Sequence, residues 1–405
     1  MKTPVSALPF AITFAFSAAV ASPPAQADSA GEQLQQALAQ SSVSAHFRYR
    51  LEYVDQDNVP EDAVASTLRS RLSVNTGKAY GVSALFQIDN VSQVGNDNYN
   101  NTVNGKTHYS VVADPKGIDI NQALLRYQND SGTTLSAGRQ LVNQLNQRFL
   151  GGVGWRQNEQ TLNGYRLQQT FANNFSAELG HYYNVNRVFG PKSPAADQHG
   201  SFNTALLQWQ ITPAHQLAAF SYDFDFDNWA ARNSRTVGAD YQGKLNSGPK
   251  LSWQLALAKQ DDAHNAPLNF SHHYHRLSLS WALNSVTLEA GQERLAGDGQ
   301  SAFQTPLATL HAFSGFADMF LTTPNSGLRD NWLQVNTKLS GMALTLAYHR
   351  FDSDAGSSKY GDEWNASAGY ALNKQLSALL KLAHYNADTL AVNTTKVWLM
   401  LSYQL

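Results

Sequence analysis

The sequence predicts an all-β protein, a transmembrane antiparallel up-and-down β-barrel of about 18 strands with short periplasmic turns and long extracellular loops. Three observations lead to this prediction. Charged residues make up only 15% of the 405 residues, whereas aromatic residues make up 11%. Apolar and polar residues alternate with a period of two along most of the chain after residue 42. Short and long connections between these segments also alternate, which is typical of outer-membrane barrels.

The first 27 residues predict a secretory signal peptide. Lys2 provides a positive charge, residues 8–20 are mostly apolar, and residues 25–27 (AQA) form a small-x-small cleavage site. Cleavage after Ala27 would leave a short N-terminal segment at 28–42, either a short helix or a mobile terminus, and a barrel domain at 43–405. No other segment approaches the length of a membrane-spanning helix. The absence of cysteine excludes a disulfide framework.

Eighteen segments carry the strand pattern. In STLRSRLSV, for example, Leu68 and Leu72 share one face, and Arg69 and Arg71 share the other. The predicted strands lie near 43–55, 64–76, 80–91, 118–129, 132–141, 157–170, 174–185, 201–211, 214–224, 232–243, 249–261, 271–282, 285–295, 331–340, 342–353, 360–371, 375–386 and 394–405.

Connections discriminate a barrel from other sheets. Every even strand is followed by a short turn, and three connections after odd strands are very long, at 92–117, 142–156 and 296–330. Aromatic residues near strand ends, such as Trp209 and Tyr385, predict girdles at the membrane interfaces. The alternative is a periplasmic or secreted β-helix or sandwich array. That alternative would need a fixed-period repeat or a large soluble core, and the chain shows no such repeat.

If the apolar face meets lipid, the other face lines the interior, and it is basic on the early strands. The predicted wall arginines are Arg48, Arg50, Arg69, Arg71, Arg126, Arg139 and Arg166. Rings of arginine favour anions, and the guanidinium fork suits carboxylates. Alternatively, these arginines pair with acids on neighbouring strands and hold the wall together. The acids expected on the inner face include Glu52, Asp89, Asp223, Asp225, Glu289 and Glu293.

Catalytic and metal signals are weak. The chain has no nucleophile elbow, no HExxH motif and no Walker loop, so no enzyme, cofactor or metal site is predicted. His272, His273 and His275 could bind a metal, and the acids at 223–227 could hold calcium, but neither group is persuasive. The balance of 29 basic and 31 acidic residues, together with the export signal, disfavours nucleic-acid binding.

Three long segments resemble the alginate-export family of outer-membrane porins, with this chain as a porin-like member. They are VGNDNYNNTVNGKTHYSVVADPKGIDINQALLRY (94–127), LSAGRQLVNQLNQRFLGGVGWRQNEQT (135–161) and AFQTPLATLHAFSGFADMFLTTPNSGLRD (302–330). The resemblance implies an eighteen-stranded barrel that conducts an anionic polyuronate by diffusion. It also places Arg139, in the GRQ motif, in the electropositive wall of the pore.

The stretch RFLGGVGWRQNEQT (148–161) predicts a constriction loop. A phosphate cradle would need a helix after the glycines, and the following residues alternate as a strand. Glycines instead let a loop bend inward close to the wall. Arg148 and Arg156 would then lie beside Arg139 and select solutes. Trp155 would either stack on a sugar ring or pack against the wall.

The segment 296–330 predicts a gating loop, because an exposed loop this rich in aromatic residues would promote aggregation. Its key residues are Phe303, His311, Phe313, Phe316 and Phe320. We expect it to fold over or into the barrel mouth. The alternative is that it packs on loop 92–117 and only stiffens the rim.

Together these features predict a passive channel in the outer membrane of a Gram-negative bacterium, for anionic solutes such as alginate or other uronate oligo- and polysaccharides. Expected partners are outer-membrane lipid and lipopolysaccharide, the anionic solute and the barrel-assembly machinery. A single chain can close such a barrel, so a monomer is favoured. The rival hypotheses are a general or hydrophobic-solute porin with structural lumen charges, an outer-membrane enzyme, and an adhesin or structural barrel.

Overall fold

The computed structural model describes residues 30–405, so the predicted signal peptide lies outside the described residues. These residues form one helix, α1 (Ala30–Ala39), two short 3-10 helices (Ala230–Arg232 and Leu310–Ala312) and eighteen strands. The strands are β1 (Ser42–Gln56), β2 (Ala63–Asn75), β3 (Val82–Asn98), β4 (Gly117–Gln128), β5 (Thr133–Gln140), β6 (Thr161–Thr170), β7 (Phe175–Asn186), β8 (Asp197–Thr212), β9 (His215–Phe226), β10 (Ser234–Lys244), β11 (Lys250–Asp262), β12 (Ser271–Leu283), β13 (Val286–Leu295), β14 (Leu328–Leu339), β15 (Met342–Asp352), β16 (Lys359–Ala371), β17 (Leu376–Ala387) and β18 (Thr394–Gln404).

The strands close into one antiparallel barrel. Each strand pairs with its neighbours in sequence, and β1 pairs with both β2 and β18. Tyr49, for instance, lies opposite Leu68 on one side and Leu401 on the other. Closure pairs the backbone groups that an open sheet would leave at its edges. The predicted fold class, an eighteen-stranded all-β barrel, is therefore confirmed.

Short turns follow the even strands at one end of the barrel, here the turn end, and long connections follow several odd strands at the other, the loop end. Five connections at the loop end are L2 (99–116), L3 (141–160), L4 (187–196), L5 (227–233) and L7 (296–327). L2 begins later than predicted because β3 continues to Asn98. L3 ends later than predicted because residues 157–160 bond to other loops and to the wall rather than starting β6.

An outer surface of exposed apolar side chains surrounds the barrel, as expected if this face meets lipid. It includes Leu125, Leu207, Leu257 and Leu333. Trp209, near the end of its strand, is exposed as a girdle residue would be. None of the helices in residues 30–405 combines the length and the apolar character that a membrane-spanning helix needs.

The N-terminal segment takes the helical alternative of the two considered. Helix α1 lies against the turn between β2 and β3, where the Gly77 amide donates to the Ala37 carbonyl over 3.0 Å. A Cβ at Gly77 would stand 2.7 Å from that same oxygen, so glycine permits the close approach. The Tyr80 amide donates to the Gln33 side chain over 3.2 Å. The helix is thus held at the turn end of the barrel.

Candidate solute pathway

Loops L3 and L7 both fold into the barrel and join each other there. Leu150 and Leu307 form a parallel β-bridge, and the Gly151 amide donates to the Leu307 carbonyl over 2.9 Å. The Thr309 amide donates to the Gln147 carbonyl over 3.0 Å. Because these bonds link two segments more than 150 residues apart in sequence, L3 and L7 form one internal structure rather than two independent loops.

One side of this structure packs on aromatic side chains of the wall. Phe149 of L3 lies 4.8 Å from Phe220 and 5.2 Å from Tyr274, between ring centroids. Phe303 of L7 joins the same cluster, 5.5 Å from Tyr274, and is fully buried. The aromatic face of β9, which carries Phe220, therefore points inward, where the loops cover it.

This inward aromatic face makes one prediction wrong. Asp223 and Asp225 were expected to line the interior, but they alternate with the buried aromatic residues and so lie on the outer face of β9. There Asp223 contacts Arg235 at 3.2 Å and also His264. The sequence of β9 alternates in the same way whether its apolar face meets lipid or meets packed loops inside the barrel. Alternation alone therefore could not decide which face points inward.

A second anchor holds L7 to the wall. Phe320 lies 4.5 Å from Phe351 and 6.0 Å from Tyr385, between ring centroids. Tyr385 is fully buried, and its hydroxyl donates to the Tyr360 carbonyl over 2.8 Å. Its assignment to an outer girdle is therefore wrong. L2, in contrast, packs with β1 and β2 through Tyr99, so L7 folds into the mouth rather than onto L2.

The turn of L7 around Gly315 rests on Glu363 of β16. The Glu363 carboxylate accepts hydrogen bonds from the amides of Phe316 at 2.6 Å and Ala317 at 2.9 Å. Gly315 has a φ of +80°, and a Cβ there would stand 2.5 Å from a carboxylate oxygen of Glu363. Both the backbone angle and the space therefore require glycine at this position.

The arginines of β2 support L3 from the opposite wall. Glu159 of L3 accepts hydrogen bonds from Arg71 at 3.0 Å, Arg69 at 3.3 Å and Asn121 at 2.9 Å. Arg71 also makes a bidentate pair with Asp89, at 2.6 Å for both bonds. Burial opposes ionisation of Glu159, but the two guanidinium groups outweigh it and lower the pKa to about 2. Glu159 is therefore ionised at neutral pH.

A buried ionic network joins β1, L2, L3 and L7. Arg50 contacts Glu52 at 2.7 Å and Asp114 at 3.3 Å. Arg156 of L3 contacts the same Glu52 at 3.1 Å and Asp318 of L7 at 3.3 Å. Cations and carboxylates alternate through this network, so each buried charge has a partner.

Arg48 and Arg148 also hold L3, in different ways. Arg48 has no carboxylate partner in the described chain. It donates to the Gln157 side chain at 3.1 Å, to the Gly154 carbonyl at 2.7 Å and to the Arg156 carbonyl. Arg148 makes a bidentate pair with Glu293 of the wall, at 2.9 and 3.1 Å. These bonds satisfy buried loop carbonyls and pair a fully buried carboxylate of the wall.

The remaining predicted wall arginines lie apart from this network. Arg139 contacts Asp119 at 3.3 Å and the Ile120 carbonyl at 2.7 Å. Arg166 contacts Glu178 at 2.5 Å. Arg126 alternates with exposed apolar residues of β4, which places it on the inner face, and it has no ion pair within residues 30–405. Seven of the nine predicted arginines thus have a carboxylate partner.

Trp155 lies between L7 and the wall. Its indole stacks on His311 at 4.1 Å and 7°, and meets Trp398 edge-on at 5.7 Å. Arg50 and Lys381 each approach the same ring at 4.3 and 4.1 Å. Of the two alternatives considered, the structure has Trp155 packed against the wall.

His311 is a second link between L7 and the wall. It contacts Asp318 at 2.8 Å and Lys381 at 2.7 Å. Burial lowers the pKa of His311 to about 3, although Asp318 acts in the opposite direction. Its imidazole is therefore neutral at physiological pH. The other two predicted L7 residues make cation–π contacts. The Arg148 guanidinium lies 4.7 Å from the centre of the Phe313 ring, and the Lys381 ammonium lies 3.4 Å from the centre of the Phe316 ring.

Sequence reasoning missed the carboxylates that neutralise these loops. Asp114 and Asp318 lie within two of the three long connections, and Glu159 lies in RFLGGVGWRQNEQT itself. Acids are few in these loops. Their scarcity was the available signal, because an acid in a loop expected to meet basic walls is a natural partner for an arginine.

A cavity of about 410 Å³ opens on the loop-end side of the internal structure. L3, L4, L5 and L7 contribute most of its lining. Its charged lining residues are the cations Arg148, Arg156, Arg187, Arg232 and Lys396 and the single carboxylate Asp318. Apolar and aromatic side chains such as Trp229 and Met319 complete it. This cavity can accept an anion with an apolar portion.

No metal site accompanies the cavity in the part of the chain that the structure describes. No group of three or more His, Cys, Asp or Glu residues in 30–405 is arranged to hold an ion. His272 is buried on the inner face of β12, whereas His273 and His275 are on its other face. The three histidines of SHHYH therefore do not converge.

Comparison with known proteins gives the fold but not a family. No protein-family model matches the chain, and no curated protein matches it. Solved structures match over most of its length. Pseudomonas aeruginosa OccK9 (OpdG) has a TM-score of 0.73 at 14% identity, covering 91% of this chain and 99% of its own. P. aeruginosa OpdK, solved with vanillate, has a TM-score of 0.71 at 16% identity, with coverage of 91% and 99%.

Acinetobacter baumannii OccAB4 gives a similar result, with a TM-score of 0.70 at 14% identity and coverage of 90% and 99%. These proteins are outer-membrane porins with eighteen-stranded barrels. The identities are too low to carry more than the fold, and the resemblance to the alginate-export family finds no match among them. The chain has the fold of an outer-membrane porin.

Proposed function

We propose that the protein is a passive channel of the Gram-negative outer membrane for small anionic solutes, above all carboxylates. The observation that carries this proposal is the loop-end cavity, whose lining holds five cations and one carboxylate and in which Arg187 and Arg232 make no ion pair within residues 30–405. A water-filled path lined in this way lowers the energy of an anion relative to a cation. The fold and the apolar outer surface support the membrane location.

Small carboxylates fit this interior better than a threaded polymer. L3 and L7 cross the barrel and are bonded to each other and to both walls, so the open space is divided. Vanillate, found with the structurally similar OpdK, is an aromatic carboxylate of suitable size. Uronates from alginate carry the same charged group, so short oligouronates belong to the proposed solute class, whereas long polyuronate chains are expected to pass poorly.

A general porin with structural lumen charges is the second hypothesis. The pairing of seven predicted arginines with carboxylates favours it, because a paired arginine offers less charge to a passing solute. The two hypotheses differ in what they expect of the solute. A structural role predicts little discrimination by solute charge, and the proposed function predicts that anions pass preferentially.

Purified protein in planar lipid bilayers tests this difference. Under a KCl gradient, the reversal potential should indicate preferential passage of chloride. Proteoliposome uptake should then be several-fold faster for glucuronate than for glucose, because the two solutes differ mainly in charge. Cation selectivity, or equal uptake of glucuronate and glucose, would contradict the proposed function.

A further inference from the structure

Two arginines of the cavity differ from all the paired arginines of the wall. Arg187 begins L4, and Arg232 lies at the end of L5. Within residues 30–405, neither guanidinium forms an ion pair or donates a hydrogen bond, although both side chains are partly buried. Most arginines deeper in the barrel have a carboxylate within 4.0 Å. The loop end of the cavity thus has two cations and no anion beside them.

Both arginines share one aromatic partner. The guanidinium carbon of Arg187 lies 5.5 Å from the centre of the Trp229 ring, and that of Arg232 lies 5.2 Å from the same centre. Arg187 also lies 5.5 Å from the ring of Phe189. Aromatic faces compensate only part of the cost of removing a cation from water. An anion beside either guanidinium would offset more of that cost.

Burial acts on both cations without opposition. It lowers the pKa of Arg187 to about 10 and lowers that of Arg232, with no carboxylate acting in the other direction. Both remain protonated at neutral pH. A partly desolvated charge that lacks a protein partner gains more from a ligand of opposite charge than an exposed one does.

We propose that Arg187, Arg232 and Trp229 form a capture site for the carboxylate group of a solute that approaches from the loop end. The site rests on the proposed function, since it would load the channel. The guanidinium forks receive the carboxylate oxygens, and Trp229 and Phe189 contact the apolar part of the solute. The paired arginines below keep the loops in place, while this pair remains available to the solute.

Binding in detergent micelles tests the site without requiring a conducting channel. Titration with sodium benzoate should change the tryptophan fluorescence, the change should weaken as salt rises, and neutral benzamide should not reproduce it. The double variant R187Q/R232Q should weaken benzoate binding by roughly 10-fold or more. Arg235→Gln removes the same charge from the outer face of β10 nearby and should bind as the parent does. W229F, which keeps an aromatic ring, should abolish most of the fluorescence change.

Single-channel recordings test the direction of capture. With benzoate on the loop side, the double variant should reduce its association rate by roughly 3- to 10-fold. With benzoate on the turn side, the rate should change by less than about 2-fold. Binding lost in R187Q/R232Q with no conductance in any variant would support the site and contradict the channel function. Conductance with benzoate binding equal in R187Q/R232Q and R235Q would overturn the site alone. Phosphate that competes as well as benzoate would overturn its assignment to carboxylates.

Discussion

Replacing Glu159 by glutamine should loosen L3 and make the channel more anion-selective. Glu159 is the carboxylate that Arg69, Arg71 and Asn121 hold against the wall. Its pKa falls from 4.5 to about 2, and a shift of that size corresponds to about 3 kcal/mol of preference for the ionised form. Glutamine keeps the size and one acceptor but loses this charge, so up to about 3 kcal/mol of the attachment of L3 is lost.

Hydrogen exchange measured by mass spectrometry reports this loss directly. If L3 opens locally before it exchanges, a change of about 3 kcal/mol accelerates exchange of its protected amides by up to about 100-fold. Amides of the β-strands should not change. In bilayers the reversal potential should shift toward stronger chloride preference, because Arg69 loses its carboxylate and Arg71 retains only Asp89. Asp261→Asn removes one negative charge from the outer face of β11 and serves as the control.

The direction of the pKa shift of Glu159 also determines how the attachment of L3 depends on pH. Because the folded protein lowers the pKa of Glu159, its contribution is complete above about pH 4.5 and declines as the pH falls toward 2. Exchange of L3 in the parent protein, corrected for the intrinsic rate, should therefore be constant between pH 7 and 5. The reasoning is refuted if Glu159→Gln matches Asp261→Asn in both L3 exchange and reversal potential.

Three further predictions concern L7. Gly315→Ala adds a Cβ 2.5 Å from Glu363 at a φ of +80°, which should loosen L7 and make chymotrypsin cleave it faster. Gly299→Ala has a similar φ of +92° but open space around the Cβ, so it should have a smaller effect. Phe303→Ala should destabilise the packing of L7 by about 3–5 kcal/mol, seen as faster hydrogen exchange, and unchanged exchange would contradict its role as an anchor. His311→Gln should leave the pH profile of conductance between pH 6 and 8 unchanged, since the pKa of about 3 keeps the imidazole neutral. A transition near pH 6.5 in the parent protein that this variant abolishes would show that His311 titrates in that range.

The barrel could be predicted from the sequence because its determinants are local. In a strand such as β2, residues two positions apart share a face, so the alternation of apolar and polar residues shows the two faces directly. Turn lengths can also be read directly from the chain. Strand ends were less certain where a strand continues past the apolar zone. In β3 the alternation becomes polar after Val91, yet pairing with β2 extends the strand to Asn98.

The interior could be predicted only in part, because its partners come from distant segments. Alternation placed Arg69 and Arg71 on the inner face, but their shared partner Glu159 lies about 90 residues away in a loop. Because the loops that cover β9 are also distant in sequence, the prediction of which face of β9 points inward was wrong. An apolar face meets either lipid or packed loops, and only the position of Phe149 decides between them.

Pairing also changes where selectivity should be sought. Arg148 and Arg156 were expected to select solutes from RFLGGVGWRQNEQT, yet their charges are matched by Glu293, Glu52 and Asp318. Removing either arginine takes one partner from a buried carboxylate and breaks a bond that holds L3, which disturbs the loop before any effect on solute binding can be read. Selectivity lost in such variants would therefore not identify a binding residue. Arg187 lacks a carboxylate partner, so its removal changes the charge of the cavity while leaving the bonds that hold L3 and L7 intact.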